Sequence, residues 1–120
     1  MTNERSHLTV TNRDGVSIVE FADRKILDEL CISEIRDELS NLVSRADRIK
    51  LLLSFKNVEH LSSAALGVLI TLNKQVSEHK GKLKLSDITP QIYEVFKITR
   101  LNKIFEIHET AAQAMSSFGR

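Results

Sequence analysis

Two adjacent serines, Ser62 and Ser63, stand directly before an apolar run in the segment HLSSAALGVLI, residues 60–70. Serine is a preferred N-cap residue, because its hydroxyl accepts a hydrogen bond from a backbone N–H in the first helical turn. A phosphate there would meet free N–H groups and the positive end of the helix dipole, and would add roughly −1.5 to −2 charges. We expect one serine to cap the helix. The sequence then raises the question of whether one of them also carries a phosphate.

Other groups that could do chemistry are few. The histidines have no metal-ligand spacing and Cys31 is the only cysteine, so no metal site is predicted. The phosphate-binding motifs G-x-x-x-x-G-K-[ST] and G-x-G-x-x-G are missing, as is the nucleophile motif G-x-S-x-G. Carboxylates in the segments DRKILDE and SEIRDE are expected to be solvated or to lie at helix starts. The chain is therefore not expected to be an enzyme or to hold a cofactor.

Length and composition indicate one globular domain, 1–120, with residues 1–6 expected to form a flexible N-terminal tail. The net charge of +1 and the scarcity of aromatic residues give no reason to expect a nucleic acid or a membrane as partner. A single cysteine excludes an internal disulfide and indicates a reducing compartment. The sequence has no apolar leader and no run of about 18 apolar residues. A cytoplasmic location is expected.

Apolar periodicity predicts nine elements in the order β-β-α-β-α-β-α-β-α. Strands are predicted at 7–12, 16–21, 49–55, 82–88 and 103–107, and helices at 32–43, from the serine pair to Gly81, at 89–96 and at 109–118. Alternating strands and helices imply parallel neighbours, and the first two strands add an antiparallel hairpin. The predicted fold class is therefore α/β, a mixed, mostly parallel sheet of about five strands with four helices.

Several residues are expected at particular positions on these helices. Gly81 is expected to be the C′ residue of the second helix, and Thr89 and Pro90 the N-cap and N1 residues of the third. Val95 is expected on the buried side of that third helix. A glycine inside a helix costs about 1 kcal/mol relative to alanine, so Gly67 is expected where its helix closely approaches a neighbouring strand or a partner.

The segments LLLSF, KNVEHLSSAALGVLI and GKLKLSDITPQIYEVFKITRLNKIFEI resemble the STAS domain family of anti-sigma factor antagonists. In that family an aspartate, one or two hydroxyl residues and G-L-G open the helix after the third strand. A later strand carries a Leu-x-x-x-Phe pattern, whose Phe corresponds to Phe105. The resemblance covers nearly the whole chain and is stronger from Leu51 onward.

Aligned on this motif, Leu66 and Gly67 match the family's L-G, and Ser63 falls on the first hydroxyl position. Ser62 falls on the aspartate position, and Ala64 on the second hydroxyl position, which is the phosphoryl acceptor in some members. The resemblance implies phosphorylation of Ser63, with Ser62 as the second choice.

The family's other functional acid lies near the end of the second strand. Asp28 is the better match and Asp23 the alternative. A helix cap or a surface carboxylate is an equally good interpretation of either residue. The expected docking face combines the Ser62–Ser63 loop, the exposed side of the next helix and the loop at 98–103. Expected partner-binding residues are Asp23, Asp28, Ser62, Ser63, Ala64, Gly67, Lys74, Arg100 and Asn102.

The resemblance implies a bacterial regulator of transcription that switches partners. The unphosphorylated domain would bind an anti-sigma factor with a kinase-type fold, which would phosphorylate Ser63, and a phosphatase would reverse this. ATP and Mg²⁺ would belong to the kinase. One alternative is a constitutive, unphosphorylated STAS scaffold, favoured by Ala64 and by the missing aspartate. Another is a small-ligand or nucleotide sensor, and an enzyme is the least supported.

Overall fold

The computed structural model describes residues 8–45 and 48–118, so the tail expected at residues 1–6 lies outside the described residues. The strands are β1 (Leu8–Arg13), β2 (Val16–Phe21), β3 (Lys25–Ile26), β4 (Lys50–Ser54), β5 (His60–Leu61), β6 (Lys82–Ser86) and β7 (Glu106–His108). The helices are α1 (Glu29–Ser44), α2 (Ser63–Glu78), α3 (Pro90–Ile98), a 3-10 helix (Leu101–Lys103) and α4 (Ala111–Phe118). None of these helices is both long and apolar enough to cross a bilayer.

The main sheet has five strands in the order β1-β2-β4-β6-β7. Strands β1 and β2 form an antiparallel hairpin, closed by Asp14 and Gly15, whose φ values are 52° and 81°. Two successive residues with positive φ are typical of the tight turn that matches strand twist. All other pairings in this sheet are parallel. The predicted mixed, mostly parallel five-stranded sheet with four helices is confirmed.

The central strand β4 is continuously apolar because both of its faces are covered. Leu51 and Leu53 belong to the large core cluster shared with α1, α2 and α3, whereas Leu52 belongs to a smaller cluster with Ala114 and Phe118 of α4. Alternate residues of a strand face opposite sides of a sheet, so a strand covered on both faces needs apolar residues throughout. Three helices therefore cover one face of the sheet, and α4 packs on the other.

A buried lysine secures α4 to its face of the sheet. Lys84 on β6 has a side chain only 9% exposed, and its Nζ lies 3.0 Å from Glu106 Oε2 and donates to Ser117 Oγ at 2.6 Å. The same ammonium lies 4.6 Å from the centroid of the Phe118 ring. His108 Nε2 is 2.7 Å from Glu106 Oε2. The hydrogen bond from His108, and then Lys84, lower the pKa of Glu106 below its ordinary value, although partial burial acts in the opposite direction.

Two predictions about the third helix have different outcomes. Thr89 is the N-cap of α3, accepting the Ile92 N–H, and Pro90 is its first residue, as predicted. Val95 was expected to be buried and is instead exposed, because the buried side of this short helix is formed by Ile92 and Phe96 alone.

The end of α2 differs from the prediction. The left-handed residue is Lys80, with φ of 61°, so the expectation of Gly81 as C′ is wrong. The Lys80 and Gly81 N–H groups donate to the Ser77 and Val76 carbonyls at 3.0 and 2.8 Å, which closes the helix. Gly81 is needed for another reason: a Cβ there would collide with the carbonyl oxygen of Ile49.

The strand predicted at 103–107 is also displaced. Residues Leu101–Lys103 coil as a 3-10 helix, and β7 runs only from Glu106 to His108. Phe105 is buried and packs edge-on against Phe96 with ring centroids 6.0 Å apart, so it anchors the turn in the core before the strand begins.

Candidate functional site

A second, two-stranded sheet brings the starts of α1 and α2 together. Strands β3 and β5 pair in parallel, with Ile26 opposite Leu61, and the Ser62 N–H donates to the Ile26 carbonyl at 3.1 Å. Each strand leads directly into a helix. The two helices remain side by side, since the Ser40 hydroxyl on α1 donates to Gln75 on α2 at 3.2 Å. The N-termini of α1 and α2 therefore lie together at the edge formed by the carboxyl ends of the strands, where α/β folds commonly place their sites.

Ser62 is the N-cap of α2. Its backbone is extended, with φ −85° and ψ 167°, and its Oγ accepts the Ala65 N–H at 3.2 Å. Its carbonyl accepts the Leu66 N–H at 3.1 Å. Side chain and backbone of Ser62 thus both stabilise the first turn, as expected of one of the two serines.

Ser63 is the first residue of α2 and is exposed, as is Ala64. No hydrogen bond to the Ser63 hydroxyl is recorded within residues 8–45 and 48–118. The first N–H groups of a helix have no acceptor inside it, so those of Ser63 and Ala64 need an acceptor from outside the helix. An anion on Ser63 would therefore meet unsatisfied donors at the positive end of the helix dipole.

Gly67 lies one turn after Ser63 on the same face of α2, and it is exposed. A Cβ built at Gly67 would meet nothing within 4 Å, so the expected close approach to a neighbouring strand is wrong. The glycine leaves bare backbone beside Ser63 and Ala64, so this part of the helix surface carries only small side chains. Close approach by a partner is the part of the expectation that remains open.

Asp28 and Asp23 both converge on Cys31 at the start of α1. Asp28 is the N-cap of this helix, and its Oδ2 accepts the Cys31 N–H at 3.1 Å. Asp23 Oδ2 accepts the thiol of Cys31 at 3.6 Å. Burial, followed by the charge of Asp23, raises the pKa of the Cys31 thiol to about 11. Asp28 thus acts as a cap beside the serines, while Asp23 helps to keep the thiol protonated.

Two exposed leucines border this site, and neither was predicted from the sequence as a site residue. Leu27 is 50% exposed directly after β3, and Leu30 is 66% exposed in the first turn of α1. Leu30 lies off the apolar stripe of α1, whose buried residues are Ile32, Ile35, Leu39 and Val43, and Leu27 precedes the helix. That departure from the helical period was the available signal. Neighbouring exposed leucines are a feature of protein-binding surfaces when they form a contiguous apolar patch.

Two of the predicted rim residues lie elsewhere in the fold. Helix α3 starts just after the carboxyl end of β6 and runs back along the sheet, so Arg100 and Asn102 lie at the amino-terminal edge of the strands, opposite Ser63. Lys74 is on the exposed side of α2, eleven residues beyond Ser63, which is about 16 Å along a helix. The structure brings together Asp28, Ser62, Ser63, Ala64 and Gly67, with Asp23 behind them, and leaves Arg100 and Asn102 apart.

Cavities near the site are small or open. An apolar cavity of about 10 Å³ lies under the site, lined by residues that include Phe21, Phe55 and Ala65, and it is too small for an organic ligand. An open groove of about 300 Å³ runs between β5 and α3, past His60, Leu61 and other residues. This groove extends the surface around the serines and could accept a side chain of a partner.

Comparison with known proteins gives a family for this arrangement. The STAS domain family model matches residues 7–114. The chain belongs to the STAS domain family. An anti-sigma F factor antagonist of Paenibacillus polymyxa is 24% identical to this STAS domain over 102 residues, covering 85% of this chain and 86% of the relative.

Solved structures share the fold. An anti-sigma-factor antagonist (STAS) domain protein from Planctomyces limnophilus superposes with a TM-score of 0.82 at 21% identity, covering 92% of this chain and 95% of that one. The Bacillus cell fate determinant SpoIIAA in its phosphorylated form superposes with a TM-score of 0.69 at 13% identity, covering 92% of this chain and 98% of that one. The family and fold implied by the sequence resemblance are confirmed.

Proposed function

We propose that this STAS domain is a cytoplasmic binding module that captures an anti-sigma factor while Ser63 is unphosphorylated and releases it when Ser63 carries a phosphate. The observation that carries the proposal is the contrast between the two serines. Ser62 is engaged as the cap of α2, whereas Ser63 is exposed at the first helical position. Relatives named as anti-sigma factor antagonists support the choice of partner.

The unmodified surface suits close contact with a protein. Ser63, Ala64 and Gly67 present little side-chain volume, so a partner can approach the backbone of α2. Leu27 and Leu30 lie alongside on the neighbouring helix start, and fully burying an exposed leucine is worth about 1.5–3 kcal/mol. A centre of small side chains with apolar residues at its border provides binding energy without a deep pocket.

A phosphate would change the charge of this surface at its centre. It would add roughly −1.5 to −2 charges beside the carboxylates of Asp28 and Glu29, which already stand at the start of α1. Like charges brought together in an interface cost several kcal/mol, and every 1.4 kcal/mol is tenfold in affinity. A partner face that is apolar or acidic at this point would be unable to pair the added charge, and a loss of about two orders of magnitude in affinity is then expected.

The chemistry of the switch would lie in the partners. The γ-phosphoryl group of ATP would pass to Ser63 Oγ as its bond to ADP breaks, and the hydroxyl proton would go to a base of the kinase. Ser63 needs only to be reachable, and its exposed position at the end of the molecule meets that need. A phosphatase would return the hydroxyl by hydrolysis, so this chain needs no cofactor.

A constitutive scaffold is the second candidate. It is favoured by Ala64, which removes one hydroxyl from the helix start, and by Ser62, which places a neutral cap where the family motif has an aspartate. Such a scaffold would use the same surface and bind its partner whatever the state of Ser63.

Calorimetric titration with a kinase-type anti-sigma factor of the same organism separates the two. The parent chain and Ser63→Ala are expected to bind alike, and Ser63→Glu to bind at least about tenfold more weakly. Ser77→Glu is the matched control, because Ser77 is exposed on the same helix but near its other end. Equal binding by Ser63→Glu and Ser77→Glu would reject the switch and favour the scaffold.

A further inference from the structure

The end of the molecule opposite Ser63 carries a concentration of positive charge. Backbone hydrogen bonds join the turns there: the Arg48 N–H donates to the His79 carbonyl and the Lys82 N–H to the Ile49 carbonyl, each at 2.8 Å. Lys50 on β4 is the direct partner of Lys82 on β6. The basic end, as we call it, comprises Arg48, Lys50, Lys80, Lys82, Arg100 and Lys103.

Part of this charge has an ordinary explanation, and part does not. Cations near helix C-termini are favoured by the helix dipole, which accounts for Lys80 after α2 and Arg100 after α3. Lys50 and Lys82 begin strands, where paired residues lie about 4.8 Å apart and directly opposed like charges are destabilising. None of the ion pairs between described residues involves the six cations.

Backbone conformation gives a second, independent observation. Arg48, Lys80 and Arg100 have φ values of 58°, 61° and 64°. This left-handed region is costly for residues with a Cβ and is usually occupied by glycine or asparagine. Asp14, in the β1–β2 turn at this end, also has a positive φ, so three of the four such residues other than glycine at this end are long and basic. The left-handed conformation at these three positions costs stability, yet basic side chains occupy them.

Apolar side chains protrude among these cations. Ile98 is 79% exposed at the last position of α3, and Ile104 is 52% exposed after the 3-10 helix. Lys84 on β6 is paired with Glu106 on β7. Lys82 and Ile104 each lie two residues before these paired positions, so both reach the edge formed by the amino ends of the strands. Acidic residues described at this end are Asp14 and Glu78.

From these observations we infer that the basic end is a docking surface for an anionic phospholipid bilayer. A broad negative surface suits cations that come from several segments, because each cation gains from the surface potential without needing a fixed acceptor. Protruding isoleucines can enter the acyl boundary, whereas they would gain nothing from a nucleic acid backbone. The chain's net charge of +1 conceals this surface, because carboxylates such as Asp28, Glu29 and Glu59 lie at the Ser63 end. Docking would leave Ser63 facing away from the bilayer, so the inference is independent of the proposed partner switch.

Co-sedimentation of the full chain with vesicles tests this surface. Vesicles of equal parts phosphatidylcholine and phosphatidylglycerol are expected to bind the parent chain, and pure phosphatidylcholine vesicles are not. The variant R48N/K80N/R100N is expected to lose at least about tenfold in vesicle affinity. Its thermal midpoint should equal or exceed that of the parent, because asparagine tolerates the left-handed conformation. Loss of binding then cannot be attributed to unfolding.

Two further variants test the details. The charge-matched control K25Q/R36Q/K56Q removes three exposed cations elsewhere and should bind like the parent. Ile98→Ser should weaken binding several-fold, because an inserted apolar side chain is lost. Failure of the parent to bind anionic vesicles at low salt would overturn the inference. So would equal losses in the two triple variants, or unchanged binding of Ile98→Ser together with full competition by polyglutamate, which would point to an acidic protein instead.

Discussion

The hydroxyls of Ser62 and Ser63, adjacent in the chain, have opposite environments at the start of α2. Ser62 Oγ accepts the Ala65 N–H at 3.2 Å, whereas the Ser63 side chain is exposed. In the proposed switch, helix capping and phosphate acceptance therefore fall to different residues. A phosphate could be added to Ser63 and removed again without opening the first turn of the helix, which a reversible switch requires.

This division predicts unequal effects of removing the two hydroxyls. Ser62→Ala should lower the free energy of unfolding by about 1 kcal/mol, because the Ala65 N–H loses its acceptor. Ser63→Ala should change it by less than about 0.5 kcal/mol, as for other exposed surface positions. Urea unfolding of both variants makes the comparison. Equal destabilisation, or a larger loss for Ser63→Ala, would contradict the assignment of the cap.

Two glycines should respond oppositely to alanine. Gly67→Ala should raise the free energy of unfolding by about 1 kcal/mol, because a Cβ there meets open space and alanine favours the helix. Gly81→Ala should lower it by about 1–3 kcal/mol, because its Cβ collides with the Ile49 carbonyl oxygen. Denaturant melts test both. If Gly67→Ala is stabilised but binds its partner less tightly, the glycine serves close approach by that partner, and destabilisation by Gly67→Ala would contradict the open geometry.

The raised pKa of Cys31 predicts that its thiol reacts slowly with alkylating reagents. Burial and then the charge of Asp23 raise its pKa from 9.0 to about 11, so alkylation by iodoacetamide near neutral pH should be much slower than that of glutathione. Asp23→Asn should speed the reaction several-fold, and Asp37→Asn, an exposed change on the same helix, should not. Fast alkylation of the parent chain would contradict the environment described for the thiol.

The same shift has a consequence for stability at high pH. The folded chain keeps the Cys31 proton between pH 9 and about 11, whereas the unfolded chain loses it. Stability should therefore fall as pH rises through this window, and the fall should be smaller in Cys31→Ala. Parallel urea titrations of the two proteins at several alkaline pH values measure the difference. A parent and a variant with the same pH dependence would be inconsistent with the raised pKa.

The Lys84–Glu106 pair predicts an asymmetry between its two members. Glu106→Gln leaves the buried ammonium without its carboxylate and should destabilise the chain by about 1–3 kcal/mol. Lys84→Met removes the buried charge in favour of an apolar side chain of similar size and should cost less. Chemical unfolding of the two variants at neutral pH gives the order, and the reverse order would contradict a buried Lys84.

Acid titration tests Glu106 separately. Its pKa is lowered in the folded chain, chiefly by His108 and then by Lys84, so its stabilising contribution is present above the ordinary carboxyl pKa. That contribution is lost as pH falls through the lowered folded value. Glu106→Gln should flatten this part of the stability profile, whereas Glu109→Gln, an exposed change nearby, should leave it as in the parent.

Much of the fold follows from local sequence patterns. The β1–β2 hairpin and the helices after Ser62 and Thr89 are set by turn residues, caps and apolar periods that act over a few positions. Strands β3 and β5 have no such pattern, because each has two residues and exists only through pairing between Ile26 and Leu61 across the fold. Contacts of this kind cannot be derived from periodicity.

The candidate site likewise combines features that local sequence predicts with features that depend on distant contacts. The helix start with its two serines was predictable, because a cap is a local feature. The placement of Arg100 was not, because it depends on α3 running back to the other end of the sheet. The role of Gly81 likewise depends on the distant carbonyl of Ile49.

The most direct test of the account is tandem mass spectrometry of the peptide spanning residues 51–74 after incubation of the purified chain with ATP, Mg²⁺ and a kinase-type anti-sigma factor of the same organism. The account predicts a single phosphate on Ser63, retained in Ser62→Ala and abolished in Ser63→Ala. A peptide that stays unmodified, while the same kinase phosphorylates an established substrate, would contradict the switch. Phosphate confined to Ser62 would contradict the division of roles between the two serines.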